Sequence, residues 1–106
     1  MIVRQSKNTF IRTTKRYGYI TNQLTRHDRC YDEFGADILK EISREPKDID
    51  AITKHLLSIY EGIDYETLNK DVIEFITSLA KDHFVVMGHS SEELNANDDN
   101  FTLSLI

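Results

Sequence analysis

Apolar, aromatic and β-branched residues crowd two short runs near the start of the chain, and from Tyr31 onward the apolar positions switch to spacings of three and four. Thr9-Phe10-Ile11-Arg12-Thr13-Thr14 and Tyr17-Gly18-Tyr19-Ile20-Thr21 read as the strands of a hairpin, with Lys15, Arg16 and Tyr17 at its turn. Side chains of these types suit a pleated, half-buried surface. Ile2 to Gln5 supplies a third strand. A hairpin alone is marginal in water, so one face of this sheet must lie on something else.

Three helical patterns provide the cover. Tyr31, Phe34, Ile38 and Ile42, with Leu39 beside them, form the first stripe, with Asp32 as its N-cap. Pro46 disfavours helix at Glu45 and ends it, with Pro46-Lys47 as the turn. Asp48 caps a second helix that buries Ile49, Ile52, Leu56 and Ile59 or Tyr60 and stops at Gly62. The third, longest helix opens at Asp64, runs to about His83 and carries Leu68, Val72, Phe75, Ile76 and Leu79 on one face. Phe84-Val85-Val86-Met87, closed by Gly88, is a short extended segment.

Residues 89–100 are polar and read as a linker or frayed tail. Phe101, Leu103 and Leu105 then alternate with polar residues, as a strand, an edge seeking a partner, or the point where a longer protein was cut. The expected organisation is a domain over residues 1–88 and a tail over 89–106. Its fold class is α+β, winged helix-turn-helix-like, with an N-terminal three-stranded antiparallel β-sheet followed by three α-helices.

At 106 residues, 40% hydrophobic and 29% charged, the chain suits one core. No apolar run reaches the ~18 residues of a membrane span, and the N-terminus lacks the apolar centre of a secretory signal, so a cytoplasmic location and no membrane partner are expected. Cys30 is alone, and His27, His55, His83 and His89 fall at irregular positions. Neither a disulfide nor a metal site is expected, and no cofactor. Gly-rich phosphate loops and nucleophile motifs are absent, so the expectation is that the chain is not an enzyme.

The net charge of −5 is unevenly spread. Residues 1–30 hold seven bases against one acid, which gives +6 and leaves −11 on the remainder. A winged helix invites a DNA-binding transcriptional regulator as one reading. Its recognition helix, however, would carry five acids against two lysines between Asp64 and His83, and phosphates would repel it. Nucleic acid is therefore not the expected partner.

The other reading takes Gly18 to Asn22 as an edge strand whose unpaired backbone groups accept a peptide by β-augmentation. The groove between that edge and the third helix would be lined by Tyr17, Tyr19 and part of the Leu68, Val72, Phe75 and Leu79 stripe, while the basic residues Arg12, Lys15 and Arg16 would favour an acidic peptide. A third reading pairs the exposed strand, or residues 101–106, with a second copy of the chain.

The run Tyr17-Gly18-Tyr19-Ile20-Thr21-Asn22, followed by Asp28-Arg29, Tyr31-Asp32, Gly35-Ala36, Ile42-Ser43-Arg44-Glu45-Pro46, Ile49-Asp50 and Leu68-Asn69-Lys70-Asp71-Val72-Ile73-Glu74-Phe75, resembles a known family. These are the RiPP recognition elements, peptide-binding domains related to the pyrroloquinoline quinone biosynthesis chaperone D. The likeness is closest to the type found at the N-terminus of radical S-adenosylmethionine (radical SAM) peptide maturases. It spans residues 10–101.

The resemblance implies a non-catalytic domain that binds the leader of a ribosomally made precursor peptide along its third strand, with the third helix as the groove wall. It implies a radical SAM modifying enzyme as partner, in cis or in trans. The implied peptide-binding positions are Arg16, Tyr17, Tyr19, Ile20, Thr21 and Asn22 with Asp71, Val72, Phe75 and Leu79. The cluster-binding Cys-x-x-x-Cys-x-x-Cys motif of the fused enzymes does not occur before Ile106. The expectation is thus an excised N-terminal domain or a free-standing recognition protein.

Overall fold

A computed structural model of the chain describes residues 1–105. Its strands are β1 (Ile2–Gln5), β2 (Thr9–Thr13), β3 (Gly18–Asn22), β4 (His27–Tyr31), β5 (Lys47–Asp48) and β6 (Val85–Gly88). Its helices are α1 (Glu33–Leu39), α2 (Ile49–Ile59), α3 (Tyr65–Lys81) and α4 (Ser91–Ser104). The fold is mixed α and β, with two three-stranded antiparallel sheets, ordered β5-β1-β6 and β2-β3-β4.

This arrangement corrects the expected single N-terminal sheet. β1 leaves the hairpin and pairs with β6, Val3 opposite Met87 and Gln5 opposite Val85. The third strand of the N-terminal meander is instead β4, whose last residue, Tyr31, had read as helical. Consequently β3 is the central strand, with Ile20 opposite Ile11 on one side and Arg29 on the other. The edge expected at Gly18 to Asn22 is closed on both sides by this chain's own backbone.

Three helix starts lie where their caps predict. Asp32, Asp48 and Asp64 each accept a backbone N–H of the following turn, from Gly35, Asp50 and Thr67 respectively. α1 ends earlier than Pro46 requires: Glu41 and Ile42 donate to Ile38 and Leu39 carbonyls in a tightened last turn. Ile42 is nonetheless buried. One core joins the layers, with Val3, Ile20, Ile38, Leu39, Ile52, Leu56, Leu68, Val72, Ile76, Leu79 and Phe84 almost fully enclosed. Among the described residues no helix is long and apolar enough to cross a membrane.

The polar segment read as a tail is α4. Ser90 Oγ accepts the Glu93 N–H at 3.2 Å, and the Glu93 carboxylate accepts the His89 N–H at 2.9 Å, which starts the helix. Its inward stripe is Leu94, Asp98 and Phe101. Asp98 is 2% exposed, bonds Arg4 at 2.8 Å and accepts the Lys7 N–H at 3.0 Å. Phe101 stacks on His83 with ring centroids 3.7 Å apart. An ion pair stands where an apolar residue would have revealed the helix. Leu103 and Leu105 are exposed on that helix and its cap, and Ile106 lies outside the described residues.

Two outcomes are expected in denaturation experiments. Asp98→Ala, which leaves the Arg4 guanidinium unpaired, should lower the unfolding free energy in urea by about 3 kcal/mol, whereas Asp99→Ala, at an exposed pair, should change it by less than about 0.5 kcal/mol. Glu41 gives a pH signature. Burial raises its carboxyl pKa, but hydrogen bonds from Lys47 and His55, with their charges, outweigh burial and hold it below the ordinary 4.5. A carboxyl whose folded pKa is depressed contributes stability above its unfolded pKa and loses it as pH falls through the folded one. The stability gap between wild type and Glu41→Gln should therefore be full near neutral pH and close on acidification below about pH 4.5.

Candidate functional site

Ladder alternation decides which backbone groups are free. Thr14 N–H donates to Tyr17 O at 2.8 Å and Gln23 N–H to Asn8 O at 2.9 Å, so Tyr19 and Thr21 turn their backbone groups toward β2. Gly18, Ile20 and Asn22 turn theirs toward β4, opposite Tyr31, Arg29 and His27. Asp28 and Cys30 then point their N–H and C=O groups away from the sheet. Arg29 Nη1 covers the Asp28 carbonyl at 3.0 Å. Among the described residues no strand pairs with this outer side of β4. The open margin lies one strand beyond the predicted one.

The inner face of β4 meets α3. Tyr31 packs edge-on against Phe75, centroids 4.8 Å apart, and Phe34 lies 6.4 Å from the same ring. Arg29 approaches Asp82 at 4.0 Å. The close approach is set by Gly35, where a Cβ would stand 2.4 Å from Tyr31 Cβ and 3.1 Å from the Phe75 ring. At the far end, Asn22 Nδ2 donates to His83 O at 2.8 Å while its Oδ1 accepts the Leu24 and Thr25 N–H groups. One amide thus shapes the β3–β4 turn and pins it to the end of α3.

At helical spacing, Asp71, Phe75, Ser78 and Asp82 form the flank of α3 on the β4 side. Asp71 and Ser78 are exposed and Phe75 is half-buried. Burial raises the Tyr31 phenol pKa, Asp82 raises it further, and Arg29 opposes them. On the outer face of the sheet, away from α3, a shallow hollow of about 350 Å³ is lined by Tyr19, Ile20, Thr21, Asp28, Arg29 and Cys30. The margin can therefore accept an extended backbone, while the aromatic and acidic flank of α3 meets its side chains.

The predicted site residues divide into three groups. Arg16 and Tyr17 are exposed at the hairpin turn, and Tyr19 and Thr21 lie on the outer face of the meander. Ile20, Val72 and Leu79 are 0% exposed core, and Asn22 is equally enclosed in its hydrogen bonds, so none offers surface to a guest. Asp71 and Phe75 stand on the flank facing β4. Asp28, Arg29, Cys30 and Tyr31, which form the open strand, are not among the predicted residues. Their strand, His-Asp-Arg-Cys-Tyr, is too polar to announce itself, although Asn22-Gln23-Leu24-Thr25 after a strand was a turn signal pointing to a further one.

The sequence model of the family Coenzyme PQQ synthesis protein D (PqqD) matches residues 31–85, just over half of the chain. The chain belongs to this family. The match starts at the end of β4 and includes α1, α2 and α3. Among solved structures the chain is similar to "TbiB1 in Complex with the TbiA(beta) Leader Peptide", with a TM-score of 0.68 and 19% identity over 83% of this chain and 99% of that one. At that identity the likeness concerns the fold. No curated protein matches the chain.

Gly35→Ala tests the geometry of the flank. Forcing a methyl between Tyr31 and Phe75 should cost about 1–3 kcal/mol of stability, read by urea denaturation. A neutral substitution would show that α1 is not held against these rings.

Proposed function

We propose that this chain is a non-catalytic, winged-helix-like domain that binds the leader of a ribosomally synthesised precursor peptide as an added strand on β4. It presents the peptide to a modifying enzyme, a radical SAM enzyme acting in cis or in trans, in the cytoplasm. The observation that carries this reading is the open backbone margin at Asp28 and Cys30, beside the Phe75 flank of α3, in a member of the PqqD family. Its support is the shared fold with TbiB1, a protein solved with a leader peptide bound.

Backbone pairing supplies affinity that depends little on leader sequence, at about 1 kcal/mol net for each bond made. Selectivity falls to the alternate guest side chains that face Asp71, Phe75 and Ser78. The cations at the hairpin turn lie away from this lane, so Lys15 and Arg16 do not set the charge of the guest in this arrangement. Holding the leader raises the local concentration of the peptide to be modified without any chemistry by the domain itself.

The test is a fluorescence anisotropy titration with a fluorescein-labelled precursor leader peptide. Cys30→Pro removes an outward N–H that the fold does not use and should weaken binding about tenfold or more, with Cys30→Ser binding as wild type and both variants retaining the wild-type circular dichroism spectrum. Equal leader affinity in Cys30→Pro and wild type would remove β4 as the docking strand. Tyr19→Pro is unsuitable because the Tyr19 N–H serves the central ladder opposite Arg12.

A further inference from the structure

The meander has a second face that neither the core nor the leader lane occupies. Register places Phe10 beside Thr21, Arg12 beside Tyr19, Tyr19 beside Cys30 and Thr21 beside Asp28, so these side chains project together from the outer side of the sheet. Phe10 is 50% exposed, Tyr17 49% and Tyr19 42%. Arg44 stacks over the Phe10 ring at 5.5 Å. A broad hollow of about 680 Å³ lies over Phe10, Arg12, Tyr19 and Thr21. Large aromatic rings grouped on a solvent face and interleaved with arginine have the composition of an interface centre.

Charge selects the occupant. Arg12, Lys15 and Arg16 are exposed, and none is ion-paired among the described residues. A second copy docked through the same face would set these cations against their own counterparts. An acidic protein surface would complement them. A peptide strand added to β4 also lengthens this face, because alternate guest side chains emerge on the side of Asp28 and Cys30.

We propose that the outer face of the β2-β3-β4 meander docks an acidic surface of the modifying enzyme, and that a leader seated on β4 extends the docking surface, so that the two binding events reinforce each other. The proposal takes its partner, the modifying enzyme, from the leader-recognition reading, and its second half rests in addition on β4 being the leader's lane. Linkage requires the reinforcement to be reciprocal: if the leader tightens the enzyme complex, the enzyme tightens the leader complex by the same factor.

Phe10→Glu places a carboxylate at the centre of the face, next to Arg44 and away from the leader lane. Wild type, Phe10→Glu and Phe10→Tyr are titrated calorimetrically against a radical SAM peptide-modifying enzyme, with and without saturating leader. Phe10→Glu should weaken enzyme binding about tenfold or more, leave leader affinity within about twofold, and be matched by full retention in Phe10→Tyr. Leader should tighten the wild-type enzyme complex about fivefold or more.

Unchanged enzyme affinity in Phe10→Glu overturns the docking face. Parallel loss of leader and enzyme binding overturns it too, by making the face part of the leader site. Leader that leaves enzyme affinity unaltered overturns the extension. Binding of fluorescein-labelled poly-uridine to wild type, abolished in Phe10→Glu and displaced by no enzyme, reassigns the face to single-stranded nucleic acid and overturns the proposal. If wild type binds enzyme but no leader, and Phe10→Glu loses the enzyme, the leader-recognition reading fails while the docking face stands.

Discussion

Gly35 lets α1 come close enough for Tyr31 and Phe75 to touch, and the relation between the meander and the helical layer follows from that contact. Gly18 repeats the device on the central strand, where a Cβ would lie 2.7 Å from Leu39 Cδ1 and 3.0 Å from Ala36 Cα. Two glycines on facing elements thus remove the methyl groups that would hold the layers apart. Asn22 fixes the other end by its bond to the His83 carbonyl. Held at both ends, β4 runs beside α3 with one backbone margin unpaired.

An unpaired strand margin invites self-association, and this one carries several of the features that discourage it. β4 is five residues long, bears Asp28 and Arg29 among largely exposed positions, and folds the Arg29 guanidinium over one of its own outward carbonyls. A guest must displace that guanidinium from the Asp28 carbonyl or share it. Arg29 also faces Asp82, so it has an alternative partner when the carbonyl is taken. The same residue that protects the margin in the empty domain can therefore yield it without being left uncompensated.

The sequence made the helical layer legible because its signals are local. Asp32, Asp48 and Asp64 are caps whose side chains bond the next turn, and the Leu68, Val72, Ile76 and Leu79 stripe needs only a period to be recognised. Strand partners are not local. Ile2 to Gln5 was recognisable as a strand, but its pairing with β6, far along the chain, depends on the closed core. β4 escaped because it is polar, and a polar strand at a functional margin is what edge protection produces. α4 escaped because Asp98 occupies the core-facing position between Leu94 and Phe101, and its inward partner is the distant Arg4. At the site, Asp71 and Phe75 were readable from helical spacing; the outward backbone of Asp28 and Cys30 required the register.

Charge segregation in the chain becomes a division of surfaces once folded. Arg12, Lys15 and Arg16 gather on the hairpin's outer side and turn, whereas Asp71 and Asp82 sit on the flank of α3 next to β4. The earlier expectation that the hairpin cations select the peptide assumed that strand and cations share the groove, and the register separates them. A ligand on the β4 margin meets the aromatic and acidic flank of α3; a ligand on the outer sheet face meets aromatic rings and cations. Two chemically different surfaces back onto one three-stranded sheet, and a strand added at β4 is the one addition that touches both.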